Sequence, residues 1–505
     1  MRIKFPTSNQ DQFHKYLSEC LTVEEIETWL PGEIIMIVAN TGCGKSHFIK
    51  NVLRDYLKSQ GQNCLYLLSR VRTKEQFEAE LPDDDTIKFA TYQTIESLVI
   101  NTHPSIDNYD FIIADECHYF LDDSSFNNRT DISLDWILGQ NQATRILMTA
   151  TGDGIEEYLN EQKLMFTQYR LTGNYDQIRN LSFFWHEDQL PLLAEQIIAS
   201  GNKGIFFIQS AAKAYNLYQE FKDDGMFLCS SHNKDYAKYM DDTAVINLLE
   251  DTHFDCSILF ATTALDTGTN IKDKNLTSIV IDVTEPVKII QCLGRKRFVS
   301  EDDFVDVYIR GRSNMQLGGM IKKLHERAEI VHDFIKRGAV SYNNANGRNN
   351  DGTGLIFDAL EDCDGDTPLF SKRINKLKYA QIRQDIKTYR EMLNMGDYGY
   401  IKYIARLLGK DEYAILEDER EQKSLTEYLE KLVGVPLLTQ AEKEPLIQIL
   451  NVRQNRHLCK SFNTLAGWFE DSKLPYRLHK YSTSRMVDGK KKNYTAWELV
   501  KLNFS

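Results

Sequence analysis

Through the first two-thirds of the chain, short apolar runs recur. Each leads into a polar or Gly-rich tip and then an amphipathic segment. The runs lie at 33–39, 64–68, 87–90, 111–114 and 145–148. After a break near 170–185 they resume at 204–208, 226–229, 257–260, 278–281 and 306–309. Apolar runs without polar alternation are what parallel strands buried on both faces require. The segment after Lys45 sets Phe48, Ile49, Val52, Leu53, Tyr56 and Leu57 on one helical face. Strands alternating with helices predict doubly wound α/β sheets, and the break divides ten strands into two sets of five. Two α/β domains are expected, over 1–175 and 176–312.

Beyond 313 the pattern changes. Met320, Ile321, Leu324, Ala328, Val331, Phe334 and Ile335 mark a helix. A turn-rich stretch at 342–354 and an acidic one at 361–366 predict loop or linker, and the acidic stretch lacks the spacing of a calcium loop. Helical periodicity returns from 371 to 449, so 313–505 reads as a mostly α-helical accessory region. Its end, 463–505, reads as a helix followed by a hairpin turning at Asp488-Gly489.

Composition narrows the class. At 505 residues the chain exceeds one core. Its 42% hydrophobic and 26% charged content are ordinary for a globular protein. It has no apolar run long enough for a bilayer and no signal-peptide pattern at its start, which predicts no membrane partner and an intracellular, cytoplasmic protein. Nine scattered cysteines without CxxC or Cys/His spacing read as reduced thiols. A net charge of −13 excludes attraction to nucleic acid over the whole surface, but not a local track. The last 55 residues carry eleven Lys/Arg against four Asp/Glu, which points to an anionic partner there.

The chemistry-bearing residues fall at the strand ends. Ala39-Asn40-Thr41-Gly42-Cys43-Gly44-Lys45-Ser46 follows a buried run and opens a helix, the context a phosphate-binding loop needs. Gly42 and Gly44 let the backbone N–H groups of Thr41–Ser46 turn inward on phosphate, with Cys43 between them and the helix N-terminus adding positive charge. Lys45 would bridge the β- and γ-phosphates of ATP, and the Ser46 hydroxyl would sit on Mg²⁺. Asp115-Glu116-Cys117-His118 closes the run at 111–114. On a strand neighbouring the phosphate-loop strand, Asp115 would hold the same Mg²⁺ through water and Glu116 would orient and deprotonate the attacking water. His118 is expected to hydrogen-bond within the site rather than to bind zinc.

The A-x-x-G-x-G-K-S loop followed by D-E-x-H resembles motifs I and II of superfamily 2 DExH helicases. Other blocks of that family follow in order. Thr149-Ala150-Thr151 is similar to motif III, which links nucleotide state to nucleic-acid contact. Arg70, with Ser69, and Thr91 and Gln93, with Tyr92, stand where motifs Ia and Ib grip the nucleic-acid backbone. Gln209-Ser210 is similar to motif IV. The block 262–271 is similar to motif V, with Thr262 toward nucleic acid and Asp266 and Gly268 toward the nucleotide. Gln291-Cys292-Leu293-Gly294-Arg295-Lys296-Arg297 is similar to motif VI. The resemblance covers roughly 30–310. It implies two tandem RecA-like doubly wound parallel-sheet domains and ATP in the cleft between them. It implies catalytic roles for Lys45, Asp115, Glu116, Gln291, Arg295 and Arg297.

Motif VI departs from the family pattern Q-x-x-G-R-x-x-R by one residue, leaving Phe298 at the expected finger position. Either Arg297 serves after a one-residue shift, or Arg295 does. The short form resembles phage-type and replication-linked relatives. No Gln motif precedes the phosphate loop, which implies relaxed base selectivity. In the tail, Lys473, Arg477, Lys480, Arg485 and Lys490-Lys491-Lys492 interleave with Tyr476, Tyr481, Tyr494 and Trp497. A winged-helix-like DNA contact and a solvated hairpin with a small aromatic core both fit this pattern. The functional expectation is a DNA-favouring helicase or translocase acting on single-stranded or forked substrate. Two alternatives stay open: an ATP-gated binding switch, and a motor subunit docked to replication or defence proteins through the tail, in a bacterial or phage-infected cell.

Overall fold

The computed structural model describes residues 2–4, 16–40, 42–81, 85–101, 108–125, 127–171, 175–263, 269–300, 302–346, 353–361, 369–454, 457–472, 474–487 and 490–502. The chain forms two compact units, Met1–Tyr413 and Ala414–Ser505.

The first unit holds two parallel sheets. One contains β1 (Arg2–Lys4), β2 (Ile34–Ala39), β3 (Cys64–Leu68), β4 (Ile87–Thr91), β5 (Phe111–Ala114), β6 (Thr144–Thr149) and β7 (Thr167–Leu171), in the order β1-β7-β2-β6-β5-β3-β4. The other contains β8 (Ile178–Phe184), β9 (Lys203–Ile208), β10 (Gly225–Leu228), β11 (Ile258–Ala261), β12 (Leu276–Asp282) and β13 (Val305–Arg310), in the order β10-β11-β9-β12-β13-β8. Every pairing among these strands is parallel. This is the tandem RecA-like α/β architecture, and all ten apolar runs are strands. Strands β2, β3, β5 and β6 are buried throughout because helices cover both faces, which explains their unbroken apolar sequence.

The division into five and five is corrected to seven and six, because the apparent break at 170–185 contains β7 and β8 and because β1 pairs with β7 at the edge of the first sheet. β7 reads TQYRL and was hidden by its polar residues, which find partners: Gln168 donates to Glu156 Oε2 at 2.8 Å and Thr167 to Glu33 Oε1 at 2.5 Å. A second correction concerns motif II. β5 does not adjoin β2, since β6 lies between them.

After β13 the chain forms a helical run, Asn314–Asn346, broken at Gly338, where φ is 73° and ψ is 162°. Helix therefore occupies the start of the stretch expected to be turn-rich. An antiparallel hairpin, β14 (Ile356–Glu361) with β15 (Leu369–Ile374), flanks the acidic stretch, most of which lies outside the described residues. Helix Lys376–Asn394 then runs back to the first sheet's layer. Leu377 and Ala380 join that layer's core, and Asn375 Nδ2 donates to the Ser124 carbonyl at 2.9 Å. The next helix, Gly399–Leu407, meets the second sheet, where the Tyr400 hydroxyl donates to the Thr284 carbonyl at 3.0 Å. The pair forms a strut touching both RecA-like domains.

The second unit packs helices Leu416–Leu432, Gln440–Leu450 and Phe462–Asp471 with an antiparallel hairpin, Tyr476–Val487 and Lys490–Lys501. Leu429, Leu446, Ile447, Leu465, Phe469, Tyr476, Leu478, Trp497 and Leu499 make its core. The expected turn Asp488-Gly489 lies outside the described residues. Among the described residues no helix is long and apolar enough to cross a membrane.

Candidate functional site

In parallel α/β sheets, ligands bind where the strands end at their carboxyl edge. The motifs gather at that edge. β2 delivers the phosphate loop, β5 delivers Asp115-Glu116-Cys117-His118, and β6, between them, delivers Thr149-Ala150-Thr151. Gly42 and Gly44 have φ of 89° and 79°, a region other residues adopt only with strain, so the tight loop depends on glycine at both positions. Gly44 caps the helix that starts at Lys45. Cys43 is buried under the loop, and its carbonyl accepts from Leu17 N at 2.8 Å. Ser46 is exposed at the first turn. Thr41 lies outside the described residues, as do Asp266 and Gly268.

Since β6 separates β5 from β2, the motif II carboxylates reach the loop by a backbone turn. Glu116 has φ of 49°, a left-handed value that swings its side chain back across the β6 end. Glu116 Oε1 then lies 3.9 Å from Lys45 Nζ, which also donates to the Ala39 carbonyl at 2.9 Å. Burial, followed by the charge of Glu116, pushes Asp115 up to about 6, against the pull of Lys45. Burial presses Glu116 the same way, yet Lys45, His118, Arg295 and Arg297 together hold it below the ordinary carboxylate range. The two neighbouring acids are thus driven apart, with Glu116 the more readily ionised, as a base requires.

Asp115 is held by Tyr66, which the motif reading passed over, and by Tyr92, which it had placed in the nucleic-acid grip. The Tyr66 hydroxyl donates to Asp115 Oδ2 at 2.8 Å, and the Tyr92 hydroxyl donates to the Asp115 carbonyl at 2.7 Å. A tyrosine inside a fully apolar buried strand, as Tyr66 is in β3, needs a hydroxyl partner, and that was the available signal. Tyr16 is another omission. It stands beside the loop, so that a Cβ on Gly44 would lie 3.6 Å from its ring.

The second RecA-like domain meets this cluster directly. His118 Nδ1 is 3.1 Å from Thr149 Oγ1 and 3.3 Å from Glu116 Oε2, while its Nε2 is 2.9 Å from Gln291 Nε2. That pairing makes Nε2 the acceptor and Nδ1 the proton carrier. Gln291 lies in the last turn of helix Pro286–Leu293, and its carbonyl accepts from Arg295 Nε at 3.1 Å. Arg297 Nε donates to Asn270 Oδ1 at 2.7 Å, and its Nη1 would lie 3.7 Å from a Cβ on Gly42. Burial, then Arg295, brings the Arg297 guanidinium down to about 10.

The shortened motif VI has a structural reason. Lys296 bridges Ile271 in a parallel pairing, with Ile271 N on the Arg295 carbonyl and Arg297 N on the Ile271 carbonyl, both at 2.8 Å. Arg297 reaches the phosphate loop and the charge of Arg295 acts on Glu116, while Lys296 turns inward to Asp303 at 2.7 Å.

The expected nucleic-acid contacts are distributed around the edge. Arg70 precedes helix Val71–Glu80 and is 3.4 Å from Asp123. Thr91 caps helix Tyr92–Ile100 by accepting from Thr94 N, and Gln93 Nε2 donates to the Tyr119 hydroxyl at 3.1 Å. Thr262 is buried at the end of β11. Lys490, Lys491 and Lys492 belong to the second unit and are exposed. Among the described residues no group of three or more His, Cys, Asp or Glu could hold a metal. Mg²⁺ commonly relies on one or two protein ligands plus substrate phosphates. Ser46 and Asp115, with Asp115 fixed by Tyr66, fit that mode.

Comparison with known proteins finds a family model over part of the chain and distant solved structures. Residues 71–153 match the family model described as type III restriction enzyme, res subunit. No curated protein matches the chain. Among solved structures, Dbp5 of S. cerevisiae bound to RNA and ADP BeF3 aligns at 15% identity and a TM-score of 0.41, covering 57% of this chain and 81% of that one. Mss116p lacking its NTE and C-tail, bound to ssRNA and AMP-PNP, aligns at 14% identity and a TM-score of 0.45, covering 81% and 94%. The matched stretch 71–153 carries the Thr91-Tyr92-Gln93, Asp115-Glu116-Cys117-His118 and Thr149-Ala150-Thr151 blocks.

Proposed function

We propose that the chain hydrolyses ATP between its RecA-like domains and uses the resulting opening and closing to move along, or separate, nucleic-acid strands, DNA in preference to RNA. One observation carries this reading: Gln291 and Arg297 of the second domain reach His118 and the phosphate loop of the first. The backbone of Thr41–Ser46 and the Lys45 ammonium bind the phosphates, and the resemblance to motif V assigns Asp266 and Gly268 to the nucleotide as well. Ser46 and Asp115 would hold Mg²⁺, which would offset charge on the phosphates. Glu116 takes a proton from the attacking water. Arg295 and Arg297 neutralise charge developing on the transferred phosphoryl group, and Gln291 reports its position to His118. Arg70, Thr91, Gln93 and Thr262 form the track, and Lys490, Lys491 and Lys492 supply a separate nucleic-acid contact.

A second reading has its own support: the matched family model describes a subunit, which favours a motor serving a larger replication or defence assembly. A strand-displacement assay on forked DNA separates the two. ATP-dependent unwinding by the chain alone, lost in Lys45→Ala, supports the first. DNA-stimulated hydrolysis without unwinding supports the second, and hydrolysis surviving Lys45→Ala refutes both.

A further inference from the structure

The hairpin of the second unit leaves its core. Tyr476, Leu478, Trp497 and Leu499 are buried at its base, but from Tyr481 to Met486 and from Lys490 to Thr495 every described side chain is half or fully exposed. Six or seven paired residues per strand project for roughly 20 Å at the usual rise per residue. A two-stranded ribbon with water on both faces is marginally stable by itself.

Its charges make matters worse in isolation. Arg485 stands directly across from Lys492, with Met486 across from Lys491 and Val487 across from Lys490. Like charges in a cross-strand pair are destabilising. No ion pair forms at these four cations among the described residues. Glu442, held below its ordinary range mainly by the Thr439 and Leu438 backbone N–H groups, feels Arg485 as its weakest influence. Such a crowd of unpaired positive charge on an unsupported ribbon is relieved by a polyanion.

We propose that this ribbon is a seat for duplex DNA, entering the major groove with Arg485, Lys490, Lys491 and Lys492 against the phosphates. The proposal deepens, and rests on, the reading of the tail lysines as a nucleic-acid contact. A two-stranded ribbon matches the width of the B-form major groove, whereas the A-form groove of duplex RNA is too deep and narrow. A single strand would call for a row of open aromatic faces. The projecting segment instead carries only Tyr481, whose hydroxyl donates to Glu498 at 2.7 Å, and the half-buried Tyr494.

The test is equilibrium binding of the full chain, without nucleotide, to duplex DNA, single-stranded DNA and duplex RNA across a salt series. Omitting nucleotide keeps the result independent of the ATPase reading. The variant Lys490→Thr/Lys491→Thr/Lys492→Thr removes three phosphate contacts. It should make the slope of log affinity against log salt shallower by about 2.7 and weaken duplex DNA binding on the order of 10²-fold near 0.1 M salt. Lys492→Glu provides the control for folding: a carboxylate opposite Arg485 should raise the melting temperature of the ribbon while weakening duplex binding, whereas unfolding would lower both. An unchanged duplex affinity in the triple variant, or an equal loss on single strands or duplex RNA, would overturn the proposal.

Discussion

Replacing Lys296 by Met is expected to damage both the stability of the second RecA-like domain and catalysis at a site the lysine does not touch. Lys296 Nζ lies 2.7 Å from Asp303 Oδ1, with side chains 0% and 1% exposed. The same ammonium donates to the Asp273 carbonyl at 3.2 Å, and Asp303 Oδ2 accepts from Val299 N at 3.1 Å. Methionine fills the space but strands a buried carboxylate with one remaining N–H donor. Breaking a buried pair from one side destabilises by about 3–5 kcal/mol. The bridge to Ile271 that holds the backbone of Arg295 and Arg297 loosens with it, so ATP turnover falls too. Hydrogen exchange at the amides of 278–281 and 305–310 reads the stability, and steady-state hydrolysis reads the site. The double variant Lys296→Met/Asp303→Leu removes both charges and should recover most of the stability, as apolar replacements of buried pairs do. A Lys296→Met protein within 1 kcal/mol of the parent, or a double variant no better than the single, would refute the reasoning.

Other outcomes follow from the same geometry. Arg297→Ala should lower nucleic-acid-stimulated turnover on the order of 10³-fold with a smaller change in nucleotide affinity, measured by kcat against KM. Leu377→Ala, in the core under the strut, should cost about 2–5 kcal/mol by urea unfolding, because it empties a fully buried site. Asp385, on the strut and bonded to Gln381 at 2.8 Å, is pushed up to about 7 by burial, with Glu285 and Asp122 adding to the rise and Lys288 opposing it. A raised carboxyl favours the folded state at low pH and loses that advantage as pH rises through about 7. The advantage is lost progressively from about pH 4, where the unfolded carboxyl ionises, to about 7, so Asp385→Asn should stabilise the protein at pH 8 by up to about 4 kcal/mol and leave it near the parent at about pH 3, read by thermal unfolding.

Ten of the thirteen strands were legible because burial on two faces leaves an apolar run with nothing else to signal, while β1 and β8 were not read. β7 was not, since Gln168 and Arg170 are satisfied by Glu156 and Asp153, partners that only the fold supplies. The phosphate loop and motif II were legible as local patterns, each tied to a strand end. The route between them was not: the left-handed Glu116 that spans the β6 end has no mark in the sequence. Motif VI looked defective when read with the family's spacing. Its helix stops before the arginines, and the backbone of 295–297 is held instead by bonds to the distant Ile271. The strut, likewise, depends on Leu377 and Tyr400 finding different domains.

The most direct test of the account is steady-state ATP hydrolysis measured without nucleic acid and with single-stranded DNA, duplex DNA, forked DNA and RNA, with Glu116→Gln in parallel. The account predicts a rate raised by nucleic acid, most by DNA, and abolished in Glu116→Gln although ATP still binds. A rate insensitive to every nucleic acid, or one that survives Glu116→Gln, would contradict it.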